Sequence, residues 1–575
     1  MRKFFITIAI LLSLSACDLL NVSLVNYIRE DLGNRPGPGM PLTPPAPPSS
    51  LDTVTLASIK VAKGTDHSPL EGTGSDIFTI VVPPAGSSTA TLTITTAGEI
   101  ITKVNDVPLG SPKTSYTKTL SMGARPTASY RDDTVIYFAI NNGGTEKNFK
   151  VRIVWAVPVA NNSELAGIGA NPATLGEDYF IINDIATSGS WIPMGDTTNP
   201  FRGSLRSWEG KKIDLNVNLG TGYYFGLFGC TEGAVLDGLT LHINAPKLNY
   251  QFAGTLAGKV NNTVIKNIAL SGSIYNTHDS LLPIMGGLAG NASGTIISGV
   301  TSSVTVNSQS SNATNSVYAG GLVGNSAGGS ISHSCATGDV AVNHSHWTSL
   351  TNQAFVLGGL VGIADNTAIT SSYAAGKVRF KKTGSYYLHA GGLAGRIYNG
   401  GTITDSYTLG EISVHASLSS GSTYPAYSAI GGLAGSLSGA GTAITRCYAA
   451  GAIIEDPANS NITGSSYIGG LVGYSNNGVV QKSAAIIPSL PNIGGDRHRV
   501  AGNRSGGTLS QNSALAAMSI GGNVITAADR HDDLNGLSKT KAELKNESTY
   551  TGWNFSTVWK MPGPGGAGYP ILQWQ

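Results

Sequence analysis

Charge is scarce in this chain. Of its 575 residues only 12% are Asp, Glu, Lys or Arg, about half the usual share of roughly 25%. Lys and Arg number 36 against 34 Asp and Glu, for a net charge of +2, and no basic block occurs. Nucleic acid is therefore excluded as a partner, since phosphate binding needs clustered Lys and Arg. Cysteine is scarcer still, with four residues. Neither Cys-x-x-Cys nor His-Glu-x-x-His occurs, so the common zinc signatures are missing and no metal or other cofactor is expected. Aromatic residues make up only 7%. The N-terminal apolar run FFITIAILLSL (4–14) is too short to cross a bilayer.

That run follows Arg2 and Lys3 and ends in LSAC (14–17), so residues 1–17 read as a cleaved signal. The ending resembles a bacterial lipoprotein processing site, which implies that Cys17 is the lipidated first residue of the mature chain and ties it to a membrane. The expected address is the outer membrane or cell surface. Asp18 leaves the periplasmic side of the inner membrane as the alternative. Cys230, Cys335 and Cys447 then remain, an odd number for an exported chain. Cys335 and Cys447 fall three repeats apart, about 14 Å at the spacing of stacked strands, which is beyond the reach of a disulfide. All three read as small buried apolar residues.

Residues 18–50 form a tether, with seven prolines between 33 and 50 favouring extended backbone. From 51 to 158 the pattern alternates as strands do. TLTITTAGEIITKV, TVIYFAI and NFKVRIVWAV are β-branched runs, and NNGGTEKN (141–148) is a hairpin turn between two of them. This length and spacing predict a small immunoglobulin-like β-sandwich. The segment loosely resembles the cadherin-like domains of bacterial surface proteins.

What the chain has in excess is glycine, 75 residues, about twice the average usage. Much of it recurs in one motif. GGLAG stands at 286–290, 391–395 and 431–435, and GGLVG at 320–324, 358–362 and 469–473, preceded by GLFG (226–229) and TLAG (255–258). The motif leucines are Leu227, Leu256, Leu288, Leu322, Leu360, Leu393, Leu433 and Leu471, spaced 29 to 40 residues apart. Such a period signals a solenoid, propeller or array. A second motif follows each of the middle copies: CATGDV, YAAGKV, YTLGEI and YAAGAI, beginning at Cys335, Tyr373, Tyr407 and Tyr448. Length varies mainly after this second motif, in polar insertions that fall at one corner of each repeat.

These features predict a right-handed parallel β-helix over 159–535. The leucines and the Tyr/Cys positions would stack as interior rows. Gly320, Leu322 and Gly324 would share one strand face, with glycine supplying sharp bends and positive φ at the corners. One coil cannot offset its own ordering entropy, whereas a stack shares buried faces. A β-propeller fits less well, because its blades need hairpin signals that are missing here. Residues 536–575 carry Trp553, Trp559 and Trp574, with a capping box at Thr540 and Glu543, and read as the C-terminal cap of the open end.

The six GGL[A/V]G copies resemble the GLUG-motif repeats of bacterial adhesin-like surface proteins. ELAGIGANPATLGEDYFIINDI (164–185) resembles the entry coils of that family, and YTGWNFSTVW (550–559) with YPIL (569–572) its closing segment. The resemblance covers roughly 160–575. It implies a β-helical surface protein and carries over no catalytic residues.

Chemistry-bearing patterns are few. GNSAG (324–328) matches the nucleophile-elbow pattern but lies in a glycine-rich array without the strand-turn-helix setting that chemistry needs. His344 and His346 read as an exposed polar loop lacking further metal ligands. The repeat carboxylates Asp339, Asp365, Asp405, Glu411, Glu455 and Asp456 form no acidic row of the kind glycosidic cleavage uses. Trp347, Tyr386, Tyr387, Tyr424 and Tyr427 are the candidate binding residues, because aromatic side chains among small polar ones suit recognition. The expected function is a non-enzymatic, lipid-anchored surface protein whose loops bind a host or cell-envelope protein or a glycan. A carbohydrate-active β-helix and a structural envelope component are the alternatives.

Overall fold

The computed structural model describes residues 56–575 apart from 64, 69–76, 98, 124–131, 143, 188–190, 208–209, 218–219, 278–281, 311–315, 345–353, 384–386, 418–425, 456–463, 493–494, 527–528 and 563–567. The chain divides into two units. One takes in the described residues up to Asp184 together with Arg202–Lys211; the other comprises Ile185–Phe201 and Lys212–Gln575. The first unit thus extends past the expected boundary at 158.

In the first unit a four-stranded antiparallel sheet and a five-stranded sheet share one core. Alternation explains it. In Thr89–Thr96 the residues Ala90, Leu92 and Ile94 turn inward while threonines occupy the other face, as a half-buried strand requires. From the other sheet Ile136, Phe138, Ile140, Phe149, Val151 and Ile153 meet them. The predicted hairpin forms, with Asn142 opposite Thr145. Ile77–Val82 runs parallel to Thr145–Trp155. The segment expected to hold entry coils contains an α-helix, Asn162–Ala170, whose Asn161 side chain accepts from the Glu164 N–H as an N-cap does.

The second unit is a β-helix-like stack of parallel coils. Its strands lie in large parallel sheets, one of them 25-stranded, and coil pairs with coil in register. In a middle coil, Val317–Gly320 leads into the Gly321-Leu322 bend. Val323–Ser332 follows, then Cys335–Ala336, then Val340–His344. Interior rows run down the stack: Ile331, Ile369, Ile403, Ile444 and Val480 form one, and Val340, Val378, Ile412 and Ile453 another. All are 1% exposed or less.

All eight motif leucines are fully buried. They sit at the bend between two strands rather than within one, which corrects the expectation of a shared strand face. Their backbones still form a ladder: the Leu322 N–H donates to the Leu360 carbonyl at 2.8 Å, Leu360 to Leu393 at 2.9 Å, and Leu393 to Leu433 at 2.9 Å.

The motif glycines are needed for close approach, not for positive φ; none of the three in GGLAG at 391–395 has it. A Cβ on Gly392 would collide with the Gly432 carbonyl and with the Thr408 side chain across the interior, and one on Gly359 would meet the Gly392 carbonyl and the Ala374 Cβ. Left-handed backbone occurs at another corner, at His333, Ser371, Asp405, Arg446 and Lys482, with φ from 46° to 53°. Just inside that corner runs a buried serine ladder. The Ser334 N–H donates to Ser372 Oγ at 3.2 Å and the Ser372 N–H to Ser406 Oγ at 3.1 Å. Each hydroxyl donates to the carbonyl two residues back, so these buried polar groups are satisfied.

The Tyr/Cys row faces outward, contrary to expectation. Ala374 reaches Gly359 across the interior, so alternation turns Tyr373 to the outer face. Tyr373, Tyr407 and Tyr448 stack at 5.0 and 4.8 Å with ring planes within 5°. They are nonetheless 2% exposed or less, because the C-terminal segment covers them. Trp553 donates to the Lys482 carbonyl at 2.8 Å, Trp559 to the Asp405 carboxylate at 3.1 Å, and Trp574 to the Ser371 carbonyl at 2.9 Å. The Tyr448 hydroxyl donates to the Pro570 carbonyl. The segment expected to close the end of the stack therefore runs back along its side as a strap. The predicted capping box forms at its start: the Thr540 N–H donates to Glu543 and the Glu543 N–H to Thr540 Oγ1.

Candidate functional site

A second run of outward side chains is open in part. Each motif bend is flanked by two strands whose outward residues face each other, four positions before the leucine and three after it. The pairs form a gutter along the stack. Register aligns Phe252, Ile284, Tyr318, Val356, His389, Ala429 and Tyr467 on one wall. It aligns Lys259, Asn291, Asn325, Ile363, Arg396, Ser436 and Tyr474 on the other.

Most of the gutter is filled. Val356 and Ile363 are buried, Asn325 donates to Asn291 at 2.6 Å, and Tyr467 stacks on Tyr474 at 5.0 Å. One coil carries the smallest pair, Ala429 and Ser436. Between its bulky neighbours it leaves a notch of about 240 Å³, lined by Tyr387, His389, Arg396, Tyr427, Ser436 and Tyr474 among others.

The notch is geometrically ordered. Tyr387 and Tyr427 pair in register, 6.0 Å between rings, and Tyr427 meets Tyr467 edge-on at 5.7 Å. His389 lies 5.6 Å from the Tyr427 ring, and its Nδ1 is 2.8 Å from Ser436 Oγ. Burial, and then the charge of Arg396, push the His389 imidazole down to about 3, so it is neutral at ordinary pH. Burial likewise pushes the Tyr427 phenol well up. The Arg396 guanidinium stacks over Tyr398 at 5.0 Å. Among the described residues no carboxylate lines the notch.

Of the predicted binding residues, Tyr387 and Tyr427 come together here, Tyr387 being 44% exposed. Trp347, Tyr386 and Tyr424 lie outside the described residues, as does Cys17. His389, Arg396, Ser436 and Tyr474 were missed, although their offsets from Leu393, Leu433 and Leu471 could have revealed them.

The remaining candidates hold no site. His344 is buried rather than exposed, its ring edge-on to Phe355 at 5.3 Å, and His346 lies outside the described residues. Ser326 of GNSAG is buried in a strand and accepts from Thr367 Oγ1. Asp339 pairs with Arg379 at 2.8 Å, Glu411 with Lys377 at 3.4 Å, and Asp405 takes two bonds from Arg446 at 2.7 Å. Asp365 accepts from Asn399, Glu455 is partly buried, and Asp456 lies outside the described residues. Among the described residues no cluster of His, Cys, Asp or Glu could hold a metal ion. Cys230 and Cys447 are buried free thiols, pushed by burial up to about 11 and about 12. Cys335 is buried too.

No family model matches the chain, and no curated protein matches it. Five chains of solved structures match, among them an IgA1 protease at 14% identity. That match covers 86% of this chain but only 31% of the protease chain, with a TM-score of 0.32. The chain thus spans less than a third of that protein, and at this score the likeness carries no argument about function.

Proposed function

We propose that this is a non-enzymatic, lipid-anchored envelope protein of the GLUG-repeat type, adhesin-like in role. An immunoglobulin-like sandwich and a right-handed β-helix would present a binding surface away from the membrane. The hand follows from the right-handed twist of strands, and the anchor from the LSAC ending at Cys17. The observation that supports binding is the open tyrosine-lined notch. Tyr side chains give large, rigid contact area, with a polar tip, at low entropic cost, and a gap in the gutter lies beneath them. The paired states of Asp339, Glu411 and Asp405 support the non-enzymatic reading, because acid–base cleavage needs two carboxylates free to exchange protons.

Two measurements test this. Intact cells treated with protease should lose the protein if it is displayed; protection would move it to the periplasm and end the adhesin reading. The full mature chain should bind glycans or proteins in an array, with Ser436→Tyr reducing the signal by filling the notch. An unchanged signal in that variant would remove the notch from the function.

A further inference from the structure

The geometry points to an acidic sugar ring, a pyranose bearing a carboxylate or sulfate, as the ligand of the Tyr387–Tyr427–Arg396 notch. This inference rests on the binding role proposed above and names its ligand class.

Three observations carry it. First, Arg396 has no ion-pair partner among the described residues, unlike Arg379 and Arg446 on neighbouring surfaces. No carboxylate lines the notch to neutralise it. A guanidinium lying over the Tyr398 ring at 5.0 Å can still offer its fork of N–H donors to an anion, which such a group grips in bidentate fashion. Second, the walls are aromatic. Tyr387, Tyr427 and Tyr474 present negative ring faces, which suit the slightly positive C–H face of a pyranose. Third, the size and floor fit a single ring. The volume of about 240 Å³ falls just below the roughly 300–1,000 Å³ of drug-sized pockets. The floor offers a hydroxyl and a neutral imidazole, Ser436 and His389, already 2.8 Å apart and able to bond sugar hydroxyls.

A neutral sugar would leave the cation unmet, and an extended peptide would need a longer trough than a notch closed by the stacked Tyr467 and Tyr474. With a net charge of +2, the attraction is local to Arg396 rather than a property of the whole surface.

The test uses the full mature protein with a galacturonic-acid oligomer, its methyl-esterified counterpart and a sulfated hexose oligomer, read by calorimetry or ligand-observed NMR. The acid should bind at least about tenfold more tightly than the ester, a difference of about 1.4 kcal/mol. Arg396→Gln should bring the two together by weakening the acid more than the ester. Ser436→Tyr should abolish binding of both, and since Tyr474 already occupies that position one coil on, the variant is built on a side chain the scaffold accepts. Preference for the sulfated oligomer over the carboxylated one would assign the anion as sulfate. Equal binding of acid and ester, with no effect of Arg396→Gln, would overturn the acidic ligand and leave the notch as a binding site. Absence of binding by every probe overturns the acidic sugar. Glycan or protein binding on the array that survives Ser436→Tyr overturns the notch as well.

Discussion

Two aromatic rows run along the same stack and have opposite fates. Tyr373, Tyr407 and Tyr448 stack almost face to face and are sealed. Tyr387 and Tyr427, with Tyr467 from the adjoining row of His389 and Ala429, meet at tilted or edge-on angles and remain partly open. Both rows belong to the 25-stranded sheet and both point away from the coil interior. What separates them is cover. The sealed row lies under Trp559, Trp574 and Leu572 of the strap, while the open one borders a gutter that nothing described overlies. A stacked tyrosine ladder is therefore not in itself a recognition surface. In one place it is a second hydrophobic core assembled on the outside of the first.

The contrast can be broken most forcefully by removing the cover. Truncation before Thr540 should expose the sealed row and remove the burial of Leu544, Trp553, Trp559 and Leu572, each worth about 1.5–3 kcal/mol. The expected result is a large fall in stability with strong binding of an apolar dye. A truncated chain with unchanged melting would show that the strap seals nothing.

Trp559→Ala should cost about 3–5 kcal/mol as a buried aromatic truncation, and it also strips a donor from Asp405. Tyr387→Ala on the open side should change stability by no more than about 0.5 kcal/mol. Denaturant unfolding of the pair measures the difference directly, and similar losses would erase the contrast between covered and open tyrosines.

A smaller effect concerns pH. The His389 value of about 3 lies below the roughly 6.5 of an unfolded histidine. Between these values the unfolded chain binds the additional proton. Its contribution to stability is complete above about pH 6.5 and is lost as pH falls toward 3, with a slope of at most about 1.4 kcal/mol per unit. His389→Gln should flatten that part of the stability–pH curve; an unchanged slope would mean the imidazole is not held neutral. Smallest of all, the Cys230 and Cys447 thiols should resist alkylation at pH 8 until the chain unfolds, since burial holds both largely protonated. Rapid labelling of the native protein would contradict their placement.

Much of the stack was legible in the sequence because its rows depend on spacing alone. The leucine period predicted which residues align, and every one of those leucines is buried. Parity was harder to read. CATGDV and YAAGKV show that Cys335 and Tyr373 share a row, but not on which side of the strand. Only the Gly359–Ala374 approach fixes that, and it joins residues on opposite walls of a coil. The strap was visible as a tryptophan-rich tail, yet a tail rich in tryptophan suits an end or a flank equally well. The gutter could have been read by counting from each leucine. His389 and Arg396 escaped because the repeated letters drew attention to what recurs, whereas a notch arises where one copy departs.

The strap has a further consequence. Its three indoles bond to backbone or side chain at Lys482, Asp405 and Ser371, which belong to different turns of the stack. Tandem arrays commonly gain or lose whole units by duplication and deletion. Here an inserted or excised turn between Ser371 and Lys482 would throw the tail out of step with its contacts. The last 36 residues thus act as a gauge of copy number, and this stretch should vary in the lengths of its loops long before it varies in its count of turns.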